Sequence, residues 1–402
     1  MKRCLSLQCL GLIFFLGIAL AGCNSLQPPV ASVSSLTPRP SARATRKPSL
    51  TPTATLEPSS TFAPTLEPSS TSTATPTATV FFDPEAALKN GPYLQSVSRD
   101  SIIVAWNTDL VSSQWSIAYG VTSAYSESSV DASVGTAHAL KLTGLAPFSL
   151  YHYRLENSDG PQSEDFTFRT AADPNQPYRF AVFGDTHTNQ HIDVPQLVAL
   201  QPDFALHTGD LVDLGTDAAQ WDTFLATEHD LMARVPVFPT LGNHEAGPKG
   251  FLDTFHLPGN GLWYSFDYGN ARFVCLASDG TLFQDNDNEQ LGWLQDVLAH
   301  NTQPWLIVYF HVPPYDVGPS TGAIFETAVG KDVMPLFEQY GVDLVFNGHT
   351  HIYDQKLING VQYMTTGGFG DPFYLVTVEG EKMTVKAISN GNTLNVYNLS
   401  IP

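Results

Sequence analysis

The chain has 402 residues, a length that suggests two or three domains. It carries 19 basic and 39 acidic residues for a net charge of −20, and six of the basic but only two of the acidic residues precede position 81. The remainder, 13 basic against 37 acidic, argues against a nucleic-acid groove or an anionic lipid surface, since both need clustered Lys and Arg.

In chain order, Lys2 and Arg3 open a short positive head, and "GLIFFLGIAL" follows as an apolar run too short to span a bilayer comfortably. Residues 1–23 read as a secretory signal peptide with a small-residue cleavage site. Its end, "LAGC", resembles a bacterial lipobox. That resemblance implies lipidation at Cys23, an extracytoplasmic cell-envelope location, and membrane contact only through the lipid anchor. Cys4 and Cys9 would leave with the signal, and with Cys23 lipidated only Cys275 remains. No intramolecular disulfide is then possible, and Cys275, inside "ARFVCLAS", reads as a small core residue.

Residues 24–82 are mostly Ser, Thr, Pro and Ala, and "TLEPSST" occurs at 55–61 and again at 65–71. Such a segment buries too little apolar surface to order itself and reads as a disordered tether. Fully extended it would reach on the order of 170 Å.

Residues 83–172 hold short strands separated by turns: "SIIVAW", "QWSIAYG", "HALKLTGL", "LYHYRLEN" and "DFTFRT". In "YHYRL", Tyr151, Tyr153 and Leu155 share one face, the period of a half-buried strand. A β-sandwich is expected. "LTGLAPFSLYHYRL" resembles the fibronectin type III signature, which puts Tyr151 at the tyrosine-corner position.

From 173 to 402 the pattern changes. β runs ("YRFAVFGD", "DFALHTGD", "VPVFPTLGN", "WLIVYFH", "VDLVFNGH") alternate with helix-like stretches such as "DAAQWDTFLATEHDLM" and "NEQLGWLQDVLAH". An α/β layered fold follows. Each β run ends on polar residues: Asp185 and His187, Asp210, Asn243 and His244, His311, and His349 with His351. Glycine precedes the polar residue in four of the five. In open α/β sheets ligands bind beyond the carboxyl ends of the strands, so the five ends should face one crevice. Carboxylates and imidazoles without thiolates suit zinc, manganese or iron. His349 and His351, two apart, are expected on one side of an extended backbone.

The blocks "GDTH", "GDLVD", "GNHE", "FH" and "GHTH" resemble, in order, those of the calcineurin-like metallophosphoesterases. "FHLPGNGLWYSFDYGNARFVCLAS", "QLGWLQDVLAH" and "PWLIVYFHVPPY" bring the chain closest to the purple acid phosphatase group, where a β-sandwich also precedes the catalytic domain. The resemblance implies a four-layer α/β/β/α sandwich behind the all-β domain, and two divalent ions (Fe, Zn or Mn). It implies a first site of Asp185, His187, Asp210 and His351, and a second of Asp210, Asn243, His311 and His349, with Asp210 as bridge. His244 would face the leaving group as general acid. Purple acid phosphatases have a tyrosine where Asp213 stands and lack the His of "GDTH", so no purple colour is expected. Asp213 is expected to pair with His244 and keep it protonated, as in the broader family.

The activity implied is hydrolysis of small phosphomonoesters by a metal-activated hydroxide, with a phosphodiesterase and a catalytically weak surface-binding protein as alternatives. His256 and Tyr315 are candidates for substrate contact. Glu245 reads as structural support. His138, His152, His191, His207, His229 and His300 match no ligand position, and Trp263, Trp293 and Trp305 read as core. Metabolic labelling with a fatty acid should mark the wild type and not Cys23→Ser; equal labelling of the two would remove the lipid anchor while leaving secretion standing.

Overall fold

A computed structural model describes residues 87–112, 115–158, 162–187, 194–278, 287–317 and 324–401. The signal peptide, Cys23, the tether and His191 lie outside these residues. Among the described residues, no helix is long and apolar enough to cross a membrane.

The first seven strands build two facing antiparallel sheets. One joins β1 (Leu88–Gln95), β2 (Ser101–Ser112) and β5 (Gly135–Thr143). The other runs β4 (Glu127–Val130), β3 (Trp115–Gly120), β6 (Leu150–Asn157), β7 (Phe166–Arg169). In β6 the alternation holds: Tyr151, Tyr153 and Leu155 are buried. Tyr151 makes the corner contact, its hydroxyl accepting the Ala146 N–H at 2.9 Å. His138, set aside as a ligand, is buried on the Trp106 ring, with Nδ1 2.7 Å from Asp131.

Two six-stranded sheets follow, stacked face to face. The first has the order β10 (Val237–Pro239), β9 (Phe204–His207), β8 (Tyr178–Phe183), β19 (Phe373–Glu379), β20 (Lys382–Ser389), β21 (Asn392–Ser400). The second has the order β11 (Tyr264–Tyr268), β12 (Ala271–Cys275), β13 (Trp305–Tyr309), β16 (Leu344–Asn347), β18 (Val361–Thr365), β17 (Asp354–Ile358). β8, β9 and β10 are parallel, and so are β12, β13, β16 and β18. Parallel strands buried on both faces read as continuous apolar runs, as these do.

Alternation distributes each run between two cores. Phe180 and Val182 of β8 point between the sheets, where Phe180 meets Phe273 edge to face at 5.2 Å. Ala181 and Phe183 point outward beneath α1 (Val194–Leu200), α2 (Ala218–Thr227) and α3 (His229–Met232). The outer face of the second sheet buries Val274, Leu306 and Val308 against α5 (Asp287–Ala299) and α6 (Ala328–Tyr340), through Leu294, Leu298, Val333 and Phe337. The α4 helix (Pro248–Thr254) completes the first helical layer. The expected α/β/β/α order is thus present. Cys275 is buried between the sheets, its thiol pushed up to about 12 by burial.

The helical stretch 217–232 is broken in two at Glu228, which is buried with no partner for either carboxylate oxygen. Burial pushes this carboxyl up to about 8. An acid with a raised folded-state pKa stabilises the fold fully below its unfolded value. That contribution is lost as pH rises through about 8. Gln mimics the protonated form, so Glu228→Gln should match wild type near pH 4.5 and exceed it above pH 8. The expected gain is about 3–5 kcal/mol, read from denaturant unfolding at both pH values. Parallel pH profiles for the two proteins would show that Glu228 is solvated or paired.

Candidate metal centre

Five parallel strands, β8, β9 and β10 from one sheet and β13 and β16 from the other, end side by side, and each hands the chain to a polar residue. At these ends the backbone turns sharply: Asp185, His187, Asp210, His349 and His351 all have φ between 52° and 70°. Non-glycine residues rarely sit there, and clusters of them mark functional sites. The turned backbone crowds what lies beside it. A Cβ on Gly242 would fall 2.2 Å from Asp210 Oδ1, and one on Gly348 2.3 Å from Asp185 Oδ2.

Main-chain and carboxylate contacts hold the loops. His349 N–H donates to Asp185 Oδ1 (2.7 Å), and His244 N–H donates to Asp210 Oδ1 (2.9 Å). Glu245, fully buried, accepts from the N–H groups of Gly242 (2.6 Å), Leu211 (2.8 Å) and Asp210 (3.2 Å). It therefore ties the loop after β9 to the loop after β10, the supporting role expected of it. Burial, then the charge of Asp210, pushes its carboxyl up to about 7.

The side chains converge as three groups. In one, His187 meets Asp213 and His244 within 4.8 Å. In a second, ligand atoms of Asp185, His187 and His351 lie within 4.8 Å of one another. His187 Nε2 is 3.2 Å from His351 Nε2, and Asp185 Oδ2 is buried with no partner. In the third, Asp210, His311 and His349 meet the same limit. His311 Nδ1 donates to the Thr208 carbonyl (2.8 Å). Its Nε2 then faces Asp210 Oδ2 (3.1 Å), Asn243 Oδ1 (3.0 Å) and His349 Nδ1 (3.1 Å).

This donor set fits cations. With Nδ1 supplying the proton to Thr208, the neutral His311 ring turns a lone pair toward a carboxylate, an amide oxygen and another imidazole. Only a proton or a metal ion reconciles those atoms. Without metal the proton fills in. Burial alone would lower His311, but the hydrogen bond and charge of Asp210 outweigh it and lift it to about 9. Burial alone would raise Asp210, but His311 holds it at about 2.

One expectation needs refinement and one needs correction. The hydrogen bond between Asp213 and His244 is made by the main chain: the His244 Nδ1–H donates to the Asp213 carbonyl (2.9 Å), while the Asp213 carboxylate lies within 4.8 Å of a His244 ring nitrogen. Gly215 N–H donates in turn to the His244 carbonyl (2.9 Å), so the two loops run alongside and the Asp213 backbone faces the imidazole. The carboxylate also lies 3.3 Å from His187 Nδ1, an ion-pair contact without hydrogen-bond alignment. His349 and His351 are not on extended backbone; two left-handed turns send them to different groups.

Of the substrate-contact candidates, Tyr315 is buried against Tyr363 with its hydroxyl on Asp354 (3.2 Å). The backbone of His256 is knitted to Gln95 and Ser96 of the sandwich. Neither joins the converging groups. His207 is fully buried beside Thr186, and burial lowers it to about 3. Trp263 and Trp305 are core, and Trp293 packs at the edge of the α5 layer.

The fold is the mixed α/β metallophosphoesterase fold, and the site holds candidate metal-binding groups. Residues 178–353 match the calcineurin-like phosphoesterase family, and residues 90–170 match the purple acid phosphatase N-terminal domain. The chain therefore carries a calcineurin-like phosphoesterase domain behind a purple acid phosphatase N-terminal domain, and its relatives are purple acid phosphatases. It is 28% identical to purple acid phosphatase 23 of Arabidopsis thaliana over 292 residues, covering 61% of this chain and 62% of that one. It is 27% identical over 301 residues to a protein of the same plant named probable inactive purple acid phosphatase 24, covering 60% and 48%. The chain thus spans about half to three fifths of these relatives. A purple acid phosphatase structure from yellow lupin (Lupinus luteus) seeds shares the fold, with a TM-score of 0.64 at 20% identity over 77% of this chain and 74% of that one.

Asp210 lies between the two groups of proposed ligands, with His187 N–H on its carbonyl (3.1 Å) and His311 on Oδ2. Asp210→Asn should therefore lose both ions together. Elemental analysis finding two metals per chain in that variant would remove Asp210 as a bridge.

Proposed function

We propose that the chain is an extracytoplasmic, lipid-anchored phosphomonoesterase using two divalent ions. The observation that carries the reading is the complete donor set with a further imidazole, His244, at its edge. His244 stands 4.7 Å from the His187 ring at an interplanar angle of 83°, and its Nδ1 is committed to the Asp213 carbonyl.

Asp185, His187, Asp210 and His351 would hold one ion, and Asp210, Asn243, His311 and His349 the other. When bound, such ions make a water nucleophilic near neutral pH and offset the charge on the phosphoryl oxygens. The residues themselves set geometry and move a proton. Thr208 fixes the tautomer of His311, so Nε2 is the ligand atom. The Asp213 carbonyl fixes His244 in the same manner, and Nε2 of the protonated ring donates to the departing oxygen. The carboxylate of Asp213 orients His187 and stands close to His244 as well. No tyrosine stands at its position, which supports a colourless pair of divalent ions such as zinc or manganese.

A proton donor matters most when the leaving group is poor. His244→Ala should retain both ions and lose about 10²–10⁴-fold on an alkyl phosphate but much less on a nitrophenyl phosphate. Asp213→Asn keeps the carbonyl that holds His244 but removes the charge beside it, so it should show a milder version of the same pattern. Equal losses on both esters in His244→Ala, with metals retained, would make His244 a phosphate-binding group. A panel with a phosphodiester and a cyclic nucleotide, each cleaved faster than the monoester, would favour a phosphodiesterase.

A further inference from the structure

One aromatic side chain at the rim of the metal centre sits on an unusual turn. Phe369 lies in a 3₁₀ turn, Gly368–Gly370, with φ 58° and ψ 30°. For a bulky residue that conformation is strained. Gly367, Gly368 and Gly370 surround it, and glycine at 369 would take the same backbone freely. The turn is held by main-chain bonds that any residue supplies: Phe369 N–H to the Asp185 carbonyl (2.8 Å) and Gly370 N–H to the Gly184 carbonyl (3.0 Å). Phe369 is 40% exposed and so lies outside the buried core.

The ring lies beside two of the proposed ligands. Its centroid is 5.3 Å from that of His351 and 5.8 Å from that of His187. The His187 ring therefore borders both Phe369 and His244. A phosphoester whose leaving oxygen faces His244 has its organic part within reach of the phenyl face. The loops that carry His351 and Asp213 each expose a further apolar side chain, Ile352 and Leu214. A polyol would find no hydrogen-bonding group on these three side chains, whereas a flat ring can stack.

We propose that Phe369 is the platform for the alcohol part of the substrate, and that the site takes phosphoesters whose alcohol carries a flat aromatic face, an aryl group or a nucleobase. This rests on the phosphoester reading above.

The test uses matched pairs that differ only in the ring: 2-phenylethyl phosphate against ethyl phosphate, and a nucleoside 5′-phosphate against ribose 5-phosphate. Metal-loaded wild type should favour the aromatic member of at least one pair by about fivefold in kcat/KM, and the pair showing it identifies the kind of ring. Phe369→Gly and Phe369→Leu should bring that ratio to about one, mainly through KM, and Phe369→Trp should restore it. Calorimetry should show the same preference for 2-phenylethylphosphonate over ethylphosphonate, lost in the Gly and Leu variants, if the ring is an aryl group. Phe369→Gly should melt no lower than wild type. A ratio that persists in the Gly and Leu variants, or turnover by wild type without aromatic preference in either pair, would overturn the assignment of Phe369 alone. Metal-loaded wild type that turns over none of the four esters would overturn the phosphoester reading and this assignment with it.

Discussion

The site holds electron-pair donors closer together than they would settle without a cation between them. His187 Nε2 and His351 Nε2 stand 3.2 Å apart, and His311 Nε2 faces three other acceptor atoms at 3.0–3.1 Å. Such crowding is unfavourable unless a proton or a metal intervenes, and so is the left-handed backbone at five of the positions involved. Both costs are met by what lies behind. The aromatic core between the sheets, with Phe180 edge-on to Phe273, fixes how five strand ends from two separate sheets meet. Glu245 and the N–H groups of His244 and His349 then hold the turns.

This division explains what could be read from the sequence. The strand ends were legible because each joins an apolar run to a polar residue, four of them through a glycine, and a buried strand rarely ends that way by chance. The four layers followed from alternation of β runs and amphipathic stretches. Tyr151 was legible because its corner contact reaches only five residues back, to Ala146.

Orientation inside a loop was not legible. That the Asp213 carbonyl takes the hydrogen bond of His244 follows from the pairing of Gly215 with His244, two loops from different strands. Tyr315 follows His311 closely in sequence, yet the β17 residue Asp354 captures its hydroxyl. Phe369 gave no signal, because a positive φ at a phenylalanine has no counterpart in composition or period. Its three glycine neighbours hinted at a tight turn but not at the side chain the turn would present.

The sandwich domain contributes through the same kind of non-local contact. Gln95, at the end of β1, is fully buried and spends both halves of its amide on the far end of α4, donating to the Thr254 carbonyl (3.0 Å) and accepting from His256 N–H (2.6 Å). The α4 helix begins at Pro248, four residues after His244. Trp221 secures the other side of this segment, its indole N–H on the Gly215 carbonyl at 2.8 Å. The segment bearing the proposed proton donor is thus clamped from the sandwich and from α2, while His311, His349 and His351 hang from a sheet the sandwich clamp does not involve. Loosening the seam between the domains should therefore reach His244 before it reaches the ligands on the second sheet.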